Sequence, residues 1–203
     1  MSPKDNQQIT LPIFPLGYLL LPGEQKELRV FEARYKEMLN DCLENNACFG
    51  VVVSGKKDNM VSEYGTMVKI LRVLKTTPAG ESDILVEGVK TFRTVHFVPV
   101  LLPKLYGAAT VEVNSSFDVK CSPDIVQLYA RYARLIKETR SPTGRNITLF
   151  ELARLLELSN EEKLRFISLS SPNRQKEFLS VKIKLKLLLA DAEKKLNGEF
   201  WLN

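Results

Sequence analysis

Hydrophobic and polar residues alternate with period two along much of the chain up to residue 117. Such alternation is typical of strands with one buried face, and Gly-, Pro- and Asp-containing turns separate the segments. The predicted strands cover residues 51–53, 65–74, 84–89, 92–95 and 107–113. One helix interrupts them, because Phe31, Tyr35, Leu39 and Cys42-Leu43 recur at helical spacing. This pattern predicts a small twisted sheet or barrel with one inserted helix.

After residue 117 the hydrophobic spacing becomes helical, and each predicted helix follows its own start signal. A start signal is an N-cap residue followed either by proline or, three residues later, by glutamate. The signals are Ser122-Pro123, Thr148-x-x-Glu151, Ser159-x-x-Glu162 and Ser171-Pro172. We therefore predict an α+β protein with a β-rich lobe over residues 1–117 and an α-helical lobe over residues 118–203.

The last and longest predicted helix has apolar residues on two faces. Residues 182–187 alternate as a strand would, but a stripe at helical spacing favours a helix. That stripe consists of Phe178, Val181, Leu185, Leu188-Leu189, Ala192 and Leu196. Ile183 and Leu187 fall on the opposite face. Either the helix packs on two sides, or these two residues and the neighbouring lysines form an exposed strip that contacts a partner.

The first segment of the chain suggests an interrupted strand followed by a corner. Pro12, Pro15 and Pro22 lack backbone donors, which favours a strand at the edge of a sheet. Glu32 and Arg34 lie two residues apart at the start of the helix. Residues at this spacing do not face each other on a helix, so we expect no ion pair between them. We expect them to hold the strand-to-helix corner; the alternative is contact with a ligand.

An ordered set of short motifs covers residues 11–53. It consists of Leu11-Pro12-x-Phe14-Pro15-Leu16-Gly17, Pro22-Gly23, Phe31-Glu32-x-Arg34-Tyr35, Cys42-Leu43 and Phe49-Gly50-Val51-Val52-Val53. In this order the motifs resemble the opening of the Lon N-terminal, substrate-binding domain. The resemblance continues through Gly65-Thr66-x-Val68-x-Ile70 and Val86-x-Gly88-x-x-x-Phe92-Arg93. It covers roughly residues 11–113.

The resemblance implies a PUA-like twisted sheet or pseudo-barrel followed by a helical bundle with a long last helix. It also implies a non-catalytic module that binds unfolded or apolar-rich polypeptide, or a protein partner such as a separate ATPase or protease. Full-length Lon places its ATPase and its Ser/Lys protease after this domain. This chain ends at Asn203, so we expect a stand-alone domain without either module.

Charge distribution leaves a second class of partner to consider. The net charge is +5, and residues 118–203 carry all of it, with 16 Lys/Arg against 11 Asp/Glu. An excess of this size is typical of a solvated helix surface. RNA binding is the alternative, because PUA-like lobes resemble a fold used for RNA. Against it, the neutral β-rich lobe lacks a basic stripe interleaved with aromatic residues.

Signatures of catalysis or metal binding are missing from the sequence. It contains neither a GxxxxGK[ST] nor a GxSxG motif, and His96 is its only histidine. The order of residues in the sequence does not test for a Ser/Lys dyad, because the fold brings the two residues of such a pair together. Cys42, Cys48 and Cys121 are odd in number and lack CxxC spacing, which favours a reducing compartment. We expect no enzyme activity and no cofactor or metal. Without an export signal or a bilayer-spanning segment, we expect a cytoplasmic protein with no membrane contact.

One segment is apolar on both alternating faces: Val98-Pro99-Val100-Leu101-Leu102-Pro103. It is either a crossing strand buried between the lobes or the wall of a groove for an extended peptide. Residues 18–21 could line the other side of such a groove. The candidate partner-binding residues are Tyr18, Leu20, Leu21, Val98, Val100, Leu101, Leu102, Ile183 and Leu187.

Overall fold

The computed structural model describes residues 8–55, 61–114, 119–138, 147–169 and 171–199, with side chains described up to residue 195 in the last range. The strands are β1 (Gln8–Leu16), β2 (Gln25–Val30), β3 (Phe49–Ser54), β4 (Val61–Thr76), β5 (Ser82–Val98) and β6 (Ala108–Val113). The helices are α1 (Ala33–Glu44), α2 (Pro123–Leu135), α3 (Leu149–Leu155), α4 (Asn160–Ser168) and α5 (Pro172–Glu199). The predicted α+β class is confirmed.

The sheet has the strand order β2-β5-β4-β3-β1-β6, and a further pairing between β5 and β6 closes it into a barrel. This closure depends on β5, which is 17 residues long. Its first half pairs with β2, its second half pairs with β6, and β4 runs along its other edge. The sequence predicted two strands over residues 84–89 and 92–95, but they are parts of this one strand.

The prediction of an edge position for β1 is wrong, because β1 lies between β3 and β6. Its residues up to Pro12 pair with β6, and its residues from Ile13 onwards pair with β3. The Ile13 amide donates to Gly107 O on the β6 side at 2.9 Å. Backbone N–H groups point to alternate edges of a strand. The Pro12 nitrogen therefore points toward the β3 side at a position before the β1–β3 pairing begins. The Pro15 nitrogen points toward the β6 side at a position beyond the end of the β1–β6 pairing. Both prolines are tolerated inside the sheet because neither replaces a needed donor.

Helix α1 begins after an extended residue, which changes the expected relation between Glu32 and Arg34. Glu32 is the N-cap residue, with φ −69° and ψ 139°. The rule for two residues within a helix therefore does not apply, and Arg34 Nη2 lies 2.8 Å from Glu32 Oε2. The expectation of no ion pair is wrong. β2, which precedes this corner, pairs with β5 and not with β1.

Among the residues that the structure describes, two buried apolar clusters lie in the β-rich part. The first contains Tyr35, Met38, Leu39 and Cys42 of α1, and Tyr35 stacks on Phe14 with the ring centroids 4.2 Å apart. The second surrounds Phe92, which is 1% exposed. Its ring occupies the space that two glycines leave free, since a Cβ on Gly65 would lie 2.4 Å from the ring and one on Gly50 would lie 2.9 Å from it.

The chain divides into two compact units. The first contains β1–β6, α1 and residues 159–167, and the second contains α2, α3 and α5. Helix α4 therefore belongs to the first unit, although the sequence-based division assigned residues 118–203 to one helical lobe. A capping box fixes where a helix begins and not which core it joins. The division at residue 117 stays a prediction.

Side-chain bonds explain how α4 joins the first unit. The Leu19 amide donates to Asn160 Oδ1 at 3.2 Å, and Asn160 Nδ2 donates to Gly17 O at 2.9 Å. Lys163 Nζ donates to Leu19 O at 3.2 Å and lies 2.8 Å from both carboxylate oxygens of Glu24. These bonds tie α4 to the segment between β1 and β2.

Three of the four start signals act as the sequence predicted. The Glu151 amide donates to Thr148 Oγ1 at 3.2 Å, and the Thr148 amide donates to the Glu151 carboxylate at 2.7 Å. Ser159 and Glu162 form the same reciprocal pair, and Ser171 Oγ accepts from the first turn of α5. Ser122 occupies the N-cap position of α2 without a side-chain capping bond among the described residues, so the predicted capping role of its hydroxyl is wrong.

Candidate functional site

The loop between β5 and β6, residues 99–107, presents a cluster of apolar side chains to solvent. Leu102 is 84% exposed, and its neighbours Val100, Leu101 and Leu105 are also exposed. The interpretation of this segment as a buried crossing strand is therefore wrong. Contiguous exposed aliphatic side chains mark interaction sites more often than isolated ones do.

Short-range backbone contacts fix the shape of the β5–β6 loop. The Leu101 amide donates to Tyr106 O at 2.9 Å, and the Lys104 amide donates to Leu101 O at 2.7 Å. The end of the loop passes close to its beginning, because a Cβ on Gly107 would lie 2.7 Å from Pro99 O. The loop is thus closed on itself while its aliphatic side chains stay outside.

Two acidic residues of α1 hold the loop from one side. Glu37 Oε2 accepts from the Leu105 amide at 2.9 Å. Asp41 accepts from Tyr106 Oη at 2.6 Å and pairs with Lys104 Nζ at 2.6 Å. The hydrogen bonds from Lys104 and Tyr106 hold the pKa of Asp41 below its usual range, while burial and the bond to Asp41 raise the pKa of Tyr106. The carboxylate therefore stays ionised at neutral pH and keeps both bonds.

The candidates on the segment before β2 are less accessible than the sequence suggested. Leu20 and Leu21 are buried, and Thr66 Oγ1 donates to Leu20 O at 2.6 Å. They belong to the core, so they are corrected as surface candidates. Tyr18 is half-buried, with Lys26 Nζ 4.6 Å from the centroid of its ring. Val98 is half-buried at the end of β5.

Of the two alternatives for Ile183 and Leu187 on α5, the exposed contact strip is wrong, because both side chains are buried. Ile183 and Leu187 lie on the face that packs against α2 and α3. The exposed strip is the other one, formed by Val181, Leu185, Leu188 and Leu189. Sequence spacing revealed both stripes, but the choice between them depends on where α2 and α3 lie.

A groove beside α1 has no counterpart among the sequence candidates. It has a volume of ≈ 340 Å³ and lies between α1 and the β4–β5 hairpin. Lys36 lines the groove, and its Nζ donates to Ala79 O at 3.0 Å. The exposed side chains of Leu43 and Val73 contribute to its walls. Leu43 belongs to the apolar stripe that predicted α1, so its spacing in the sequence carried no signal of its exposure in this groove.

The titratable side chains of the first unit lie in environments that are typical of structural residues and not of catalytic ones. Burial, with Asp41 and Cys48 nearby, raises the pKa of the Cys42 thiol to about 11, so the thiol is not a nucleophile at neutral pH. His96 lies exposed on β5. Across the described ranges, no three His, Cys, Asp or Glu side chains are close enough to hold a metal ion. None of the described helices has the length and apolar content needed to cross a membrane.

Comparison with known families assigns the fold. Residues 10–193 match the family model for the substrate-binding domain of ATP-dependent protease La (LON). The chain belongs to this family. The resemblance seen in residues 11–113 is therefore confirmed. The match to the Lon substrate-binding family extends further, through α4 and most of α5.

Two solved structures share the fold of this Lon-family chain. A Lon N-terminal domain protein from Xanthomonas campestris is 27% identical, with a TM-score of 0.66 over 84% of this chain and 96% of that one. The N-terminal domain of a Lon protease from the Mycobacterium avium complex is 15% identical, with a TM-score of 0.59 over 88% of this chain and 98% of that one. The second likeness concerns the fold alone. The PUA-like description is consistent with both.

Proposed function

We propose that this protein recognises polypeptide segments by burying their apolar side chains against the β5–β6 loop. The supporting observation is the exposed cluster of Val100, Leu101, Leu102 and Leu105 on a loop that backbone bonds and α1 hold in shape. A preorganised apolar surface gains contact energy without a large ordering cost. The match to a substrate-binding domain of a protease supports polypeptide as the class of ligand.

The family match also supports binding without catalysis, because it covers a substrate-binding domain and not an ATPase or protease module. We expect the purified chain neither to hydrolyse ATP nor to cleave casein. A separate ATPase or protease is the kind of partner that would act on what it binds, and the cytoplasm is the compartment we propose. Turnover above background that is lost on mutation of one of its own serines would contradict this proposal.

Replacing Val100 and Leu102 together with serine tests the binding surface. A Val or Leu side chain that becomes fully buried in a contact contributes roughly 1.5–3 kcal/mol. We therefore expect the double variant to bind an unfolded probe, carboxymethylated α-lactalbumin, at least about tenfold more weakly. Since both side chains are exposed in the free protein, the melting temperature should stay unchanged.

The matched control replaces Leu74 and Val95 with serine. These side chains are also exposed, but they lie on β4 and β5 and not in the loop. Binding should be unaffected. Equal weakening by both double variants, or no weakening by the first, would reject the β5–β6 loop as the binding surface.

RNA binding remains the second candidate, because a specific observation favours an anionic ligand. A groove of ≈ 280 Å³ between α2 and α5 is lined by Arg131, Arg134, Leu135, Leu187, Asp191 and Lys194. Binding of structured RNA would weaken steeply with salt and would be insensitive to the Val100→Ser/Leu102→Ser change. Polypeptide binding through the loop would depend only weakly on salt and would be weakened by the Val100→Ser/Leu102→Ser change.

A further inference from the structure

Helix α5 has two apolar faces on opposite sides. Gln175, Leu179, Ile183 and Leu187, spaced by four residues, form the buried face. Val181, Leu185, Leu188 and Leu189 form the second face and are between 47% and 68% exposed. At 100° per residue, Leu185 lies about 200° from Ile183 around the helix axis. The second face thus points away from α2 and α3.

The spacing on this second face is that of a seam between two helices. Phe178, Val181, Leu185, Leu188 and Ala192 follow intervals of three, four, three and four residues. This is the a/d pattern of a two-stranded coiled coil, in which each a or d side chain packs into a hole between side chains of the facing helix. A helix that is apolar on both sides is normally covered on both sides.

We propose that this face of α5 is an interface with a second copy of this chain, in which two α5 helices lie parallel about a two-fold axis. The flanking charges favour this occupant. Glu177 is at a g position and Lys182 at the following e position, so each Glu177 would face Lys182 of the other copy. The two-fold axis makes this favourable pair twice.

An antiparallel arrangement of the same helices fits less well. It brings positions of type g together, and Glu177 and Asp191 are both at g positions, so like charges would meet. In the parallel arrangement Lys184 would lie over Leu189 of the other copy and cover it with its aliphatic stem. The parallel pair therefore accounts for all four exposed aliphatic residues.

The mass of the full chain in solution tests the proposal. Sedimentation equilibrium between about 1 and 200 μM should show a species of twice 23.0 kDa. Changing Leu185 and Leu188 to lysine should raise the dimer Kd at least about 100-fold, because two aliphatic layers of the seam are lost. Both side chains are exposed, so circular dichroism should show an unchanged fold. Leu74→Lys/Val95→Lys, a matched change on exposed residues of the first unit, should leave the dimer intact.

A charge exchange tests the alignment of the two helices. Glu177→Lys should weaken the dimer several-fold, and adding Lys182→Glu to the same chain should restore it, because the pair is re-formed with reversed signs. A monomer at every concentration, or a dimer that survives Leu185→Lys/Leu188→Lys, would overturn the proposed interface. Failure of the second charge change to restore the dimer would overturn the parallel arrangement.

Discussion

A fragment that ends at residue 117 is expected not to form a stable barrel, although it contains every strand of the sheet. Helix α4 belongs to the same unit, and its Phe166 and Ile167 are buried. Removing them loses two buried side chains, each worth about 1.5–3 kcal/mol. The fragment also loses the bonds that Asn160 and Lys163 make to Gly17, Leu19 and Glu24. Together these losses are comparable to the entire stability of a small domain, about 5–15 kcal/mol.

Circular dichroism and urea unfolding of the fragment provide the measurement. The matched control is a chain in which a long Gly/Ser linker joins residue 114 directly to residues 158–169, so that α4 is present and the second unit is absent. Cooperative unfolding should return in this control. If the fragment alone unfolds as cooperatively as the full chain, α4 contributes little and the first unit ends near residue 117.

Gly88→Ala is expected to destabilise the first unit by about 3 kcal/mol, a large effect for one methyl group. A Cβ at this position would lie 2.4 Å from Leu21 O, which is backbone and not the end of a flexible side chain. The neighbouring backbone cannot move freely, because Gly88 N donates to Glu24 O and Gly23 N donates to Gly88 O. Relief of the clash would therefore stretch hydrogen bonds between β5 and the segment before β2.

Gly17→Ala is the matched control, since a Cβ there has nothing within 4 Å. Its unfolding midpoint in urea should stay close to that of the unchanged protein. A Gly88→Ala midpoint equally close to it would show that the β5 contact is looser than the described distances indicate.

Local signals were sufficient where both partners of an interaction lie within one turn of the chain. Thr148 and Glu151 belong to one helical turn, so their spacing predicts the reciprocal bond that the structure contains. The same reasoning failed for Glu32 and Arg34, because the rule assumed helical geometry at a residue that is extended. The difference lies in one pair of backbone angles that the sequence does not specify.

Pairings between distant segments were beyond the reach of periodicity. Alternation shows which side of a strand is buried, but not which strand lies beside it. β1 is parallel to β3, and β2 pairs with β5 more than fifty residues away. The edge position expected for β1 therefore failed, while the positions of most strands were close to those observed.

The sequence pattern was sufficient to identify part of the candidate surface. A segment with apolar residues on both faces, flanked by prolines, is unusual in sequence alone, and it led to Val100, Leu101 and Leu102. The same loop is held through Leu105 and Tyr106 by Glu37 and Asp41, which lie on a helix some sixty residues earlier in the chain. No local pattern connects these acidic residues with the loop.

The return of α4 to the first unit has a consequence for the order in which the protein is made. About forty residues of the second unit, up to residue 158, are translated between the last strand and α4. At a synthesis rate of about 5–20 residues per second, the nascent barrel waits roughly 2–8 s for its last helix. During that interval the segment between β1 and β2 lacks its partners on α4. The growing chain would therefore expose this segment to chaperones and to aggregation until residue 167 emerges.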